Sequence, residues 1–171
     1  MQEKEVRAII KDPEGFRKRL FKSKAWQSKE LTIEDRLYDT PTRTLKAKGE
    51  KLRIRTFNHG AREVLCWKGK KNFDNNVKSR EEVEVGVGSQ FNTAYILQSL
   101  GFFQTKVIKR KARYFSFGQT KVKLEYFPVE DVWLAEIEGD LKGIEKAKAL
   151  FPDIEFGPYT LNSLLKKLKE E

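Results

Sequence analysis

Apolar and polar residues alternate with period two through most of this chain, the signature of strands that bury one face. The first such stretch runs from Glu3 to about Lys11, with Val6, Ala8 and Ile10 on one face and Glu3, Glu5 and Arg7 on the other. Further strands are predicted near 31–39, 51–58, 61–69, 78–87, 104–117, 120–127 and 133–138. Asn58-His59-Gly60 and Gly118-Gln119 read as tight turns between neighbouring strands. Elsewhere the period lengthens. Asp12-Pro13-Glu14 opens a helix, with Asp as N-cap, Pro in the first helical position, and Phe16, Leu20 and Phe21 as its apolar face. A second helix is predicted near 90–99 from Phe91, Ala94, Tyr95, Leu97 and Leu100, with Gly101 placed to end it. Helices near 141–150 and 159–169 close the chain. Short turns favour antiparallel pairing, and about eight strands is the number that closes into a barrel with a small interior. The expected fold class is therefore α+β: a closed eight-stranded antiparallel β-barrel with about four peripheral helices, as a single domain over residues 1–171.

The polar faces of these strands carry the chemical signal. Glutamates come as i, i+2 pairs in three strands: Glu3/Glu5, Glu82/Glu84 and Glu136/Glu138. Basic residues come as i, i+2 sets in three others: Arg53/Arg55, Lys109/Lys111/Arg113 and Lys121/Lys123. Arg7, Lys68, Arg80 and Glu125 add to the two groups. For any single strand, a solvated face explains alternation equally well. A solvated face would more often mix signs along one strand, however, and here the acidic pairs and the basic sets fall on different strands. Clustered carboxylates suit hard divalent ions such as Mg2+ or Mn2+. Clustered Arg and Lys suit phosphate oxygens. A triphosphate with its metal needs both kinds of subsite.

Composition agrees. Lys plus Arg number 35 against 25 Asp plus Glu, a formal net charge of +10 that favours a polyanionic partner. The paired carboxylates argue against nucleic acid, whose backbone they would repel. No apolar run reaches the ~18 residues of a membrane span, and the charged start at Gln2-Glu3-Lys4-Glu5 lacks the apolar core of a secretory signal. With one cysteine, Cys66, and no internal disulfide to make, a reducing cytoplasm is the expected setting. A surface rich in Lys and Glu also suits a thermophile. One histidine, His59, excludes a site built on two histidines. Trp133 and Tyr126 are candidates for stacking on a base, against a plain core or rim role.

The motifs resemble those of the CYTH superfamily, the triphosphate tunnel metalloenzymes, in order and along the whole chain. Glu3-Lys4-Glu5-Val6-Arg7 resembles the N-terminal ExExK signature, and Asp35-Arg36-Leu37-Tyr38-Asp39-Thr40 resembles DxYYDT. Leu52-Arg53-Ile54-Arg55 resembles LRIR, Trp67-Lys68-Gly69 resembles YKG, and the stretch from Lys78 to Val85 resembles KxREExEV. Lys109-Arg110-Lys111 resembles KxR, Ala135-Glu136-Ile137-Glu138 resembles the closing EIE, and Pro158-Tyr159 with Leu164-Leu165 resembles SYxxLL. The KSREE and WKG stretches are most similar to the class IV adenylate cyclase branch. The resemblance implies a β-tunnel and metal-dependent attack on a triphosphate. It implies Glu3, Glu5, Glu82, Glu84, Glu125, Glu136 and Glu138 as metal-site carboxylates. It implies Arg53, Arg55, Lys68, Arg80, Lys109, Lys111, Arg113 and Lys123 on the phosphates, and Arg7, Glu136 and Glu138 as catalytic residues. It further implies Mg2+ or Mn2+ as cofactor, ATP or another triphosphate as substrate, and a homodimer as the assembly to look for.

Three departures from the family pattern stand out. Arg7 replaces the usual Lys and is a poor proton acceptor. Glu125 stands in place of Asp, and Asp131-Val132-Trp133-Leu134 lacks the glycine of LGxF. Three functions compete. A cyclase would turn ATP into cyclic AMP and pyrophosphate, with the ribose 3′-OH attacking the α-phosphate. A phosphohydrolase would cleave tripolyphosphate or an organic triphosphate such as thiamine triphosphate. A non-catalytic module would bind polyphosphate or RNA.

Overall fold

Alternation of apolar and polar residues becomes ten strands in a computed structural model that describes residues 2–74 and 76–170. The strands are β1 (Gln2–Ile9), β2 (Trp26–Gln27), β3 (Leu31–Asp39), β4 (Lys51–Phe57), β5 (Arg62–Lys68), β6 (Asn72–Asp74), β7 (Val77–Gly86), β8 (Phe103–Phe117), β9 (Thr120–Phe127) and β10 (Val132–Glu138). Five α-helices accompany them: α1 (Pro13–Lys22), α2 (Thr44–Lys48), α3 (Gln90–Ser99), α4 (Leu141–Lys148) and α5 (Leu161–Glu170). The neighbour order is β1-β10-β9-β8-β3-β4-β5-β7, and β7 pairs back to β1. Eight strands thus close on themselves, while short β2 pairs with β8 and β6 pairs with β7. This is the expected α+β antiparallel β-barrel. Among the described residues, no helix is long and apolar enough to cross a membrane.

The chain divides into two compact units, and β7 and β8 each contribute residues to both. The first comprises Leu31–Asn72 and Arg80–Arg110, which carry β3, β4 and β5 with α2 and α3. Tyr38, Ile54 and Leu97 are its buried centre, with Leu52, Leu65, Ala94 and Phe102 packed against them. The core of this unit therefore lies between α3 and the apolar face of β4 and β5.

The second unit comprises Glu3–Glu30, Phe73–Ser79 and Lys111–Glu171. Its core is larger. Val6, Ala8, Val122, Leu124, Ala135 and Ile137 on the strands meet Phe16 and Leu20 of α1 and Ile144 and Ala147 of α4. Phe16 stacks on Phe151 with ring centroids 4.1 Å apart. Burial of each large side chain contributes about 1.5–3 kcal/mol, so this apolar layer fixes which face of β1, β9 and β10 is left for charge. Helix α1 starts on the expected cap, Asp12, which accepts from the Gly15 N–H, and α4 starts on Asp140, which accepts from the Gly143 N–H.

The fifth helix, α2, was outside the sequence expectation of about four. Its N-cap position is Arg43, whose side chain makes no capping bond. The cap comes instead from Asp39, whose carboxylate accepts from the N–H groups of Leu45 at 2.9 Å and Lys46 at 3.0 Å. A helix of one turn, capped from outside the usual spacing, leaves no periodic trace in the sequence.

Candidate functional site

Directly opposed residues of an antiparallel pair share a face, so register decides which charges meet. In the second unit, Glu5 lies opposite Glu138 and Arg7 opposite Glu136 across β1 and β10. Across β10 and β9, Glu136 lies opposite Lys123 and Leu134 opposite Glu125. Glu3, Glu5 and Glu136 are all buried, and one carboxylate oxygen of each lies within 4.8 Å of the others. Arg7 donates from Nε to Glu136 at 2.6 Å, and a second guanidinium nitrogen donates to the same oxygen. Lys123 bridges Glu136 at 2.5 Å and Glu138 at 2.9 Å. Lys78, at the start of β7, pairs with Glu5.

The electrostatics of this group follow from burial and proximity. Burial opposes the charge of Glu136, yet Arg7, Lys123 and Lys78 hold its carboxyl well below the usual range. Burial likewise opposes the charge of Arg7, and Glu136, Glu5 and Glu125 outweigh it, so Arg7 stays a cation. Lys123 is held above the ordinary lysine value by Glu136 and Glu138 against the same burial. Lys78 goes the other way: burial and then Arg7 push it down to about 8, with Glu5 and Glu136 resisting. Glu5 Oε1 takes the ion pairs to Lys78 and, at 3.3 Å, to Arg7, while Glu5 Oε2 is buried without accepting a hydrogen bond. An orphan buried carboxylate oxygen beside two further carboxylates is the donor set a hard divalent ion takes. The residues present fit Mg2+ or Mn2+.

The first unit builds a different cluster around Asp35, a buried carboxylate on β3. Arg55 donates to it twice, from Nε at 2.7 Å and from Nη2 at 2.9 Å. Arg110 reaches it at 3.0 Å and Arg53 at 3.4 Å. Burial opposes the charge of Asp35, but the three guanidinium groups hold its pKa well below the ordinary value. Beside them, Lys68 pairs with Glu82 at 2.6 Å, and Arg53 lies 3.4 Å from Glu82 and 3.6 Å from Glu84. Cys66, Glu82 and Glu84 also bring ligand atoms within 4.8 Å of one another. The thiol weakens that group as a metal site. Burial pushes Cys66 up to about 12, Glu82 adds to the shift, and Arg53 and Lys68 oppose it. A metal takes the thiolate rather than the thiol.

The expected residues thus fall into two sets. Glu3, Glu5, Arg7, Lys123, Glu125, Glu136 and Glu138 share the charged face of the second unit. Arg53, Arg55, Lys68, Glu82 and Glu84 share that of the first, and Arg80 is buried on β7. Lys109, Lys111 and Arg113 are not brought in. Lys109 and Lys111 are exposed and pair with Glu34 and Glu30, and Arg113 also approaches Glu30. On β8 the buried parity is Arg110 and Ala112, one residue out of step with the expectation. The run Lys109-Arg110-Lys111 has a cation at both parities, so alternation gave no register there.

Asp35, Lys78 and Arg110 are the residues that sequence reasoning quoted in motifs but did not assign. The aromatic candidates change too. Tyr126 and Trp133 lie opposite each other with ring centroids 4.9 Å apart. They share the parity of core residues Val122, Leu124, Ala135 and Ile137, away from Lys123 and Glu136. Neither ring is available to a base on the charged face. Tyr114 does lie on that face, opposite Lys123, whose Nζ is 6.0 Å from the ring centroid.

Comparison with curated protein sequences gives no match. Among solved structures, the chain is similar to the PH1819 protein of Pyrococcus horikoshii OT3, at 23% identity and a TM-score of 0.73 over 99% of both chains. It is similar to a candidate adenylate cyclase of Vibrio parahaemolyticus, at 18% identity and a TM-score of 0.76, covering 96% of this chain and 97% of that one. It is also similar to HpAC1 of Hippeastrum, a candidate adenylyl cyclase described as having a dominant triphosphatase activity, at 15% identity and a TM-score of 0.71, covering 96% and 95%. At such identities these neighbours establish the fold alone. The sequence pattern of the CYTH domain matches residues 1–162, nearly the whole length, and the chain belongs to the CYTH domain family.

Proposed function

We propose that this protein is a divalent-metal-dependent enzyme acting on a triphosphate, with conversion of ATP to cyclic AMP and pyrophosphate as its leading reaction. The observation that carries the proposal is the Glu3–Glu5–Glu136 group, three buried carboxylates drawn together with Glu5 Oε2 lacking a hydrogen-bond donor. In this reading those three residues hold Mg2+ or Mn2+, with Glu138 and Glu125 beside them. The ion would supply neutralisation of phosphate charge and polarisation of the bond being broken. Arg53, Arg55, Lys68, Arg80 and Arg110 bind phosphate oxygens, and Asp35 keeps the guanidinium groups oriented. Lys123 and Arg7 orient Glu136. Arg7 does not serve as a base, because its carboxylate neighbours keep it charged.

A second reading, hydrolysis of tripolyphosphate or an organic triphosphate, is favoured by the position of Trp133 and Tyr126 on the core face of their strands. The two stacking platforms that the sequence offered to adenine are thereby withdrawn. Incubation with ATP, tripolyphosphate and thiamine triphosphate, each with Mg2+ and with Mn2+, separates the readings. Cyclic AMP with pyrophosphate supports the cyclase, and orthophosphate release supports the phosphohydrolase. Tight binding without turnover of any of the three would overturn the enzymatic proposal in favour of a binding module.

A further inference from the structure

Two of the cations that stay out of the charged clusters meet a third on the other side of β8. Arg113 lies opposite Leu124 of β9, and Lys111 lies opposite Tyr126, which in turn faces Trp133 of β10. Leu124 belongs to the apolar layer on which α1 packs, and Trp133 rests against that layer. Helix α1 supplies the third cation, Arg17. Together with Glu30, these side chains line a cleft: Arg17, Lys111 and Arg113 provide positive charge, and Leu124 and Trp133 provide an apolar wall. All of them belong to the second unit.

The ion pairs of this cleft are incomplete. Glu30 is the one carboxylate among the lining residues. It is 3.7 Å from Lys111 and 4.0 Å from Arg113, beyond the ~3.2 Å of a hydrogen bond. Arg17 gives one guanidinium nitrogen to exposed Glu14 at 2.8 Å. Its Nε is buried and, among the described residues, has no hydrogen-bond partner. An ordinary solvated cation would keep that nitrogen in water. A buried donor left unpaired is costly, and native chains satisfy such donors with protein, water or a bound group.

We propose that this outer cleft is a second anion site, separate from both charged clusters, that takes inorganic phosphate or pyrophosphate. Three lining cations against one carboxylate leave an excess of two positive charges, which suits a doubly charged oxyanion. Two guanidinium groups supply planar donors that match its oxygens, and the apolar wall strengthens each contact by keeping water away. The space is about 270 Å3 with the open solvent at its mouth included, which suits an inorganic ion rather than a nucleotide. Binding here does not depend on which reaction the protein performs. On the enzymatic reading above, both ions are released products, and occupancy of the cleft then follows turnover.

Trp133 makes the test local. Fluorine NMR of the full chain labelled with 5-fluorotryptophan gives one resonance for each of the three tryptophans, and Trp133→Phe identifies the relevant one. Metal-free phosphate and pyrophosphate are each expected to move it saturably, in the millimolar range or below, whereas chloride at equal ionic strength leaves it in place. Arg17→Gln and Arg113→Gln are each expected to weaken the effect ~10-fold, the size of one lost charge-assisted hydrogen bond. Lys109→Gln, on the same strand but outside the cleft, is expected to leave it unchanged. So is Arg53→Gln, which removes a cation from the first unit's cluster. A resonance that phosphate does not move, or that chloride moves equally, overturns the proposal. Indifference to both Arg17→Gln and Arg113→Gln overturns it as well. Loss of the shift in folded Arg53→Gln would give the anion to the charged clusters instead. AMP acting at lower concentration than orthophosphate would overturn the assignment to an inorganic ion.

Discussion

Arg55 grips Asp35 through two parallel hydrogen bonds, 2.7 Å from Nε and 2.9 Å from Nη2. The pair has consequences for stability as well as for binding. A buried carboxylate shared by three guanidinium groups cannot be removed without leaving cations uncompensated, and breaking such a pair costs about 3–5 kcal/mol. Asp35→Ala should therefore destabilise the protein by about 3 kcal/mol at neutral pH, as read from urea unfolding. Asp35 has a folded pKa below its unfolded value. Its contribution is thus complete above the unfolded pKa of about 3.9 and is lost as pH falls through the folded value. The gap between wild type and Asp35→Ala should be constant from pH 7 to 5 and should close on strong acidification. A gap independent of pH down to unfolding would show that the charge of Asp35 contributes nothing.

Glu136 is the carboxylate on which the metal proposal depends most. Truncation to alanine would strand Arg7 and Lys123, both of which it pairs with. Glu136→Gln keeps the shape and removes the charge. It should lower turnover at least ~100-fold and weaken Mn2+ binding, followed by electron paramagnetic resonance, while secondary structure is retained. Undiminished Mn2+ affinity would remove Glu136 from the ligand set.

The register of β8 makes neighbouring residues unequal. Arg110→Ala should weaken tripolyphosphate binding about 10-fold or more in calorimetry, consistent with the loss of a charge-assisted contact. Lys111→Ala should change it less than about 2-fold, because Lys111 points to solvent beside Glu30. Equal effects would mean that the chain binds phosphate with the other side of β8.

Aromatic residues offer a parallel contrast. Tyr114→Leu should raise KM for ATP several-fold and leave KM for tripolyphosphate unchanged, if its ring is the surface on which a base rests. Trp133→Leu should leave both KM values alone and lower Tm, since Trp133 packs against the core of its unit. An equal rise for both substrates in Tyr114→Leu would make that residue a scaffold for Lys123.

Much of this was legible because strand faces obey a strict two-residue period. Glu3/Glu5, Arg53/Arg55 and Glu136/Glu138 adjoin buried Val6, Ile54 and Ile137, and Glu82/Glu84 alternate with Val83 and Val85, so parity alone assigned their faces. Legibility failed where that contrast vanished. Lys109-Arg110-Lys111 offers no apolar partner to fix parity, and Tyr126 and Trp133 are amphipathic enough to suit either face. Asp35 was hidden for another reason. Its importance comes from Arg110, far along the chain, and only tertiary pairing brings the two together. Helix α2 escaped because its cap, Asp39, lies upstream of any standard capping position.

Cys66 gives the protein a built-in reporter. A thiol pushed up to about 12 is almost wholly protonated at neutral pH, and alkylating agents and peroxide attack thiolates. In the folded chain this sulfur is chemically quiet, held beside Glu82 in a strand between β4 and β7. Any opening that frees β5 returns the thiol to its ordinary acidity. The rate at which Cys66 is alkylated therefore times the breathing of the arginine-rich half of the fold, with no added label.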